Sequence, residues 1–78
     1  MDARAVMREI VERSGRSQAQ ISAELGRSPS FVSATLARPS DLHASTLAAV
    51  ADVCGVEIVA RDRETGEIVA TIDPPARG

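Results

Sequence analysis

Two helix-start signals, at residues 17 and 28, leave almost no room between them for anything but a tight turn. In Ser17-Gln18-Ala19-Gln20, a Ser hydroxyl placed to accept the residue-20 amide and a Gln side chain able to reach back to Ser17 make a capping box. In Ser28-Pro29, Ser is a preferred N-cap and Pro suits the first helical position, where its missing N–H costs nothing. Between them lies Leu25-Gly26, and glycine is the usual residue in the left-handed conformation that ends a helix. The chain is therefore expected to form a short helix from Ser17, a three-residue turn, and a second short helix over 28–37 that Pro39 prevents from continuing. Ile21, Leu25, Val32 and Leu36 supply the apolar contacts between the pair.

The flanking sequence completes a mainly α domain of four to five helices followed by a C-terminal β-hairpin. Val6, Met7, Ile10 and Val11 recur at helical spacing between Asp2 and Gly15, which predicts a helix over 3–14. Leu47, Val50, Ala51 and Cys54 predict another over 43–54, closed by Gly55, with Pro39-Ser40-Asp41 as the connecting turn. The period then falls to two. Val56, Ile58 and Ala60, and after Asp62-Arg63-Glu64-Thr65-Gly66, Ile68, Ala70 and Ile72, alternate with more polar residues. Pairing Arg61 with Glu67 places those six on one face and leaves a five-residue loop ending in Gly66. The expected organisation is 1–55 helical, 56–73 hairpin within the same domain, and 74–78 a tail.

Composition narrows the chemistry. At 78 residues the chain holds one domain with a thin core. One Cys and one His permit neither an internal disulfide nor a zinc site, so no metal or cofactor is expected. Cys54 reads as a small core residue and His43 as a surface or capping residue. Neither a leader nor 18 consecutive apolar residues is visible, and the expectation is a cytoplasmic protein without membrane contact. The carboxylates Glu57, Asp62, Glu64 and Glu67 form no pair on a rigid face, so no catalytic site is proposed. All nine basic residues are Arg, a side chain suited to bidentate phosphate contacts, although biased base composition also accounts for the choice. The net charge of −2 divides unevenly: residues 1–40 carry six Arg against four acids, residues 41–78 three against seven. The first half can meet an anion while the second faces away.

Two short helices joined by a Gly-containing turn make the helix-turn-helix, whose second helix can enter a DNA major groove. The run from Ser17 to Ser33 resembles the DNA-binding core of the Cro/CI-type (XRE-like) repressors: Gln18-Ala19 opens a helix, Leu25-Gly26 ends it, and Ser28-Pro29-Ser30-Phe31-Val32-Ser33 begins the recognition helix. Thr46-Leu47 through Cys54-Gly55-Val56 is similar to the family's next helix, and the resemblance covers about residues 3–56. It implies that Gln18 meets a phosphate and that Pro29, Ser30, Ser33 and Ala34 lie where the family reads bases. Ser28 caps that helix, and Arg27 and Arg38 are candidate phosphate clamps. Phe31 reads as a packing residue at the edge of the helix pair, with a base-contacting wedge as the alternative. The sequence departs from the family's pattern at Ser22 and Thr35, where small apolar and aliphatic residues are usual, and at Leu36-Ala37-Arg38.

A module this small contacts little DNA, so a homodimer on a pseudo-palindromic operator is expected. The hairpin face of Val56, Ile58, Ala60, Ile68, Ala70 and Ile72 is the candidate dimerisation surface; capping of the helices within one monomer is the alternative. The resemblance implies a small transcriptional regulator, of the kind carried by phages or mobile elements, that binds double-stranded DNA. The competing class is a protein-interaction module, such as an antitoxin whose acidic half masks a basic partner.

Overall fold

The computed structural model describes residues 1–38 and 42–75. Its described residues form four helices followed by an antiparallel hairpin. Helix α1 spans Ala3–Ser14, and Asp2 caps it by accepting the Ala5 amide at 2.8 Å. Helix α2 spans Gln18–Glu24, and both arms of its capping box are present: Gln20 N–H donates to the Ser17 hydroxyl (3.0 Å) and Ser17 N–H to the Gln20 side chain (2.9 Å). Helices α3 and α4 span Phe31–Ala37 and Ala44–Val53. The connecting turn expected at 39–41, and residues 76–78 of the expected tail, lie outside the described residues.

Met7, Val11, Ile21, Val32, Leu36, Leu47 and Val50 form the core, joined by buried Ala48 and Ala51. Each helix contributes to it, as the periodicities require. Helix α1 lies against α4 and α3, and α2 against α3 and α4. The C-terminal end of α4 closes with paired hydrogen bonds, Val56 N–H to the Ala51 carbonyl and Gly55 N–H to Asp52, that satisfy carbonyls the helix leaves unmatched. A further α4 carbonyl, Val53, accepts from the Arg16 guanidinium at 2.8 Å; Arg16 also pairs with Glu24, so one side chain ties the α1–α2 turn and α2 to the end of α4. No helix of the described residues is long and apolar enough to cross a membrane.

Strands β1 (Ile58–Arg61) and β2 (Ile68–Ile72) pair in a register different from the one alternation predicts. Ile58 faces Ile72 and Ala60 faces Ala70, two residues beyond the expected pairing, and a bulge then sets Arg61 opposite Ile68 rather than Glu67. Alternation cannot detect the shift over residues 58–60 and 70–72, because a two-residue slip leaves those side chains on their original faces, whereas the bulge sets Ile68 opposite Arg61 and takes it off the face it was expected to share with Ala60 and Ala70. The loop decides it. The Asp62 carboxylate accepts the amides of Glu64 (2.9 Å) and Thr65 (3.1 Å), Asp62 N–H donates to the Glu67 carbonyl (2.8 Å), and Gly66 turns the chain at φ 78°. Only residues 63–66 remain between the closing pair, one fewer than expected.

The hairpin rests on α4, and of the six residues expected to share one apolar face Val56 and Ile58 are half-buried, whereas Ala60, Ile68, Ala70 and Ile72 are exposed. Hydrogen bonds from Thr65 and Glu64 hold the Asp62 carboxyl below its ordinary value of 3.8. A lowered carboxyl pKa stabilises the loop above that value and loses the effect as pH falls through the shifted one. An NMR titration of the Asp62 side-chain carbon should give a midpoint below 3.8, with hairpin cross-strand contacts weakening in the same range; a midpoint at or above 3.8 contradicts the turn geometry.

Candidate nucleic-acid interface

Helix α3 begins later than its capping sequence predicts. Ser28 is not its N-cap and Pro29 is not its first residue; Phe31 N–H donates to the Ser28 carbonyl at 3.0 Å, which closes a turn over residues 28–31, and the helix starts at Phe31 with Ser30 in the cap position. Pro at the second position of such a turn is as well suited as at a helix start, so the dipeptide fits both. The segment over 28–37 is thus a turn, 28–30, followed by a helix, Phe31–Ala37.

The Ser30 hydroxyl caps no amide of α3. The first-turn amide of Val32 donates instead to the Ser22 hydroxyl of α2 at 3.1 Å, and Ser22 in turn donates to the Gln18 carbonyl at 2.8 Å. Ser22 is fully buried (0% exposed) beside Ile21. The bond to its own helix is the one the sequence allows for; the bond to Val32 is not legible there, since it depends on how α3 crosses α2. Gly26 makes the crossing possible. With φ 72° it lets Gly26 N–H reach the Ala23 carbonyl and Arg27 N–H the Ser22 carbonyl, so the chain reverses directly out of α2. Thr35, another of the departures noted in the sequence, is buried with its hydroxyl returned to the Phe31 carbonyl at 2.8 Å.

With Val32, Thr35 and Leu36 turned inward, α3 presents Ser33, Ala34 and Ala37 outward, and Pro29 and Ser30 extend that exposed stripe at its start. Ala37 belongs to the stripe by helical spacing from Ser33 and Ala34, a signal present in the sequence and not used there. Ser33 donates its proton to the Ser30 carbonyl (3.0 Å), leaving its oxygen to act outward as an acceptor. Arg27 and Arg38 are exposed at the two ends of the segment, and Gln18 is exposed on the first turn of α2. Phe31 is half-buried against the core, and the Arg27 guanidinium lies 5.1 Å from its ring centroid. The aromatic packs as expected and also holds Arg27 beside the start of α3, a contact worth about 0.5–1 kcal/mol at exposed sites.

All nine residues singled out from sequence, Gln18, Arg27, Ser28, Pro29, Ser30, Phe31, Ser33, Ala34 and Arg38, therefore fall on or beside the α2–α3 unit, and all but half-buried Phe31 are exposed. The unit is held by α1 and α4, and the hairpin's main contacts are with α4. A cleft lined by Arg4, Phe31, Thr35, Arg38, Leu42, His43 and Thr46 measures about 80 Å³, well below the roughly 300–1,000 Å³ of small-molecule sites. Its size favours no organic ligand. His43 stands exposed at the start of α4, and Cys54 is half-buried at its end.

Comparison with protein-family models, with curated proteins and with solved structures gives no match. The weight accordingly falls on the geometry of the α2–α3 unit. Removing the Ser22 hydroxyl strands a buried amide, so Ser22→Ala should destabilise the fold by about 1–3 kcal/mol in urea denaturation. Ser33→Ala, at an exposed site, should stay within about 0.5 kcal/mol of the parent. Equal effects would contradict the capping role given to Ser22.

Proposed function

We propose that the chain is a DNA-binding transcription regulator that occupies a pseudo-palindromic operator as a homodimer, with α3 in the major groove. The observation that carries this reading is the exposed stripe Pro29, Ser30, Ser33, Ala34 and Ala37, free of core duty, on a helix bonded to α2 through Val32 and Ser22, and flanked by Arg27 and Arg38. A major groove about 12 Å wide admits one helix, and small residues on that helix let it seat deeply. Phosphate attraction in this reading comes from Arg27, Arg38 and Gln18, which fix the register without reading sequence. Base recognition comes from the two Ser hydroxyls and the Ala methyls.

None of these residues is the bidentate Arg, Gln or Asn that discriminates strongly, so each base contact contributes modestly. Thymine methyls against Ala34, together with groove shape, carry the remainder. Paired half-sites then supply what one module lacks, with recognition helices about 34 Å apart. Repression follows from occupancy, since a bound dimer excludes other proteins from the site. No catalysis and no cofactor enter the proposal.

Selection of bound duplexes from a random pool tests binding, spacing and symmetry together. The expected product is a two-fold symmetric site with half-sites one helical turn apart, about 10 base pairs. Arg27→Ala and Arg38→Ala should each weaken binding across all duplexes and lower the log–log salt slope by about 1. Enrichment of no duplex, with capture of a basic protein by the acidic C-terminal half, would contradict the proposal in favour of the protein-interaction reading.

A further inference from the structure

Ser14, Ser22 and Ser33 each return the hydroxyl proton to a main-chain carbonyl three or four residues back, on Val11 (2.6 Å), Gln18 (2.8 Å) and Ser30 (3.0 Å). A hydroxyl has one proton, so once it is committed in this way the oxygen can act only as an acceptor. At Ser14 and Ser22 the structure shows what such an oxygen takes. It is an N–H in both cases, from Arg16 at 3.1 Å and from Val32 at 3.1 Å. Ser33 repeats the Ser14 arrangement, with its bond three residues back, at an exposed position on the outer face of α3.

The other serine of that face is built differently. The Ser30 hydroxyl caps no amide and lies 3.5 Å from the Ser28 hydroxyl, where either oxygen can be the donor. Ser30 can therefore offer a proton or a lone pair. Ser33 offers a lone pair, and its neighbours on the face, Ala34 and Ala37, carry no polar side-chain atom to compete with it.

Base edges in the major groove divide by the same property. Adenine N6 and cytosine N4 are amino donors, whereas guanine O6 and thymine O4 are keto acceptors. From this we infer that Ser33 is a specificity-determining residue that reads an exocyclic amino group, adenine N6 or cytosine N4, and rejects the keto bases. The inference rests on the DNA-binding reading above and names the base chemistry that reading leaves open.

Counting hydrogen bonds gives the reason. Opposite an amino group the hydroxyl keeps its bond to the Ser30 carbonyl and accepts a second bond from the base. Opposite a keto oxygen it must turn its proton outward, which breaks the bond to Ser30 and leaves one in place of two. The Ser30 carbonyl accepts the Ala34 amide (2.9 Å) as well as the Ser33 hydroxyl, so both of its lone pairs are in use while the proton stays where it is. Every amino base pairs with a keto base. Exchanging the two strands at this position therefore inverts the preference, and one hydroxyl gives the contact a strand polarity.

Selection of bound duplexes from a random pool, run in parallel with the parent chain and Ser33→Ala, locates the position that Ser33 reads as the one where the preference disappears in the variant. The parent should select adenine or cytosine there. Four otherwise identical duplexes that differ at that position should bind the parent with the amino bases about 3- to 10-fold ahead of the keto bases, the effect of one hydrogen bond, and should bind Ser33→Ala within about twofold of one another. Replacing the selected adenine by purine, or the selected cytosine by pyrimidin-2-one, removes the amino group alone. It should weaken the parent by the same factor and leave Ser33→Ala unchanged. Guanine or thymine at that position overturns the assignment, as does a Ser33→Ala selection identical to the parent's or a parent indifferent to loss of the amino group. In each of those cases the enriched duplexes leave the DNA-binding reading standing. A pool from which neither chain enriches any duplex overturns that reading, and the Ser33 assignment with it.

Discussion

A single buried hydroxyl joins the two helices on which the proposed DNA-binding surface depends. Ser22 donates to the Gln18 carbonyl of its own helix and accepts the Val32 amide of the next. A polar side chain in an apolar core is tolerated only when its hydrogen bonds are made, and here they are made only at one relative placement of α2 and α3. Ile21 and Val32, both fully buried, hold the same two helices together without specifying that placement, because apolar contact is not directional. The hydroxyl therefore supplies direction and the apolar pair supplies affinity. The outward stripe of α3 follows from both.

That arrangement separates duties along the chain. Arg16 fastens the α1–α2 turn and α2 to the end of α4, so the body that carries α3 is braced through α2. The hairpin packs chiefly on α4. Basic residues accordingly flank α3, while the excess of acids lies in the second half of the chain. A chain of negative net charge can still present a surface suited to an anion, because what a ligand meets is the local field rather than the total.

Local signals made most of this legible. The capping box at Ser17, the glycines at 15, 26, 55 and 66, and the change from a period of 3.6 to 2 after Gly55 place the elements close to where they lie. The two failures have a common cause. Ser28-Pro29 serves equally as a helix start and as a turn, and a hairpin register serves equally at either of two even offsets; in each case one local pattern fits two structures. The choice was made by contacts outside the pattern, the Phe31 amide on Ser28 in the first case and the Asp62 carboxylate on the loop amides in the second. Ser22 shows the same limit from the other side. Its bond within α2 spans four residues and could be anticipated, whereas its bond to Val32 spans ten and arises only once the helices have packed.

The central claim is that the segment from Ser28 to Ala37 is the face that meets DNA. Amide chemical-shift mapping, with an isotope-labelled chain titrated by its selected duplex, tests it directly. The account predicts that the largest shifts fall at Gln18, Arg27, Ser30, Ser33 and Ala34, with β1 and the loop over residues 62–67 unmoved by the duplex itself. Shifts concentrated on the hairpin, or none along α3 under saturating duplex, would contradict it.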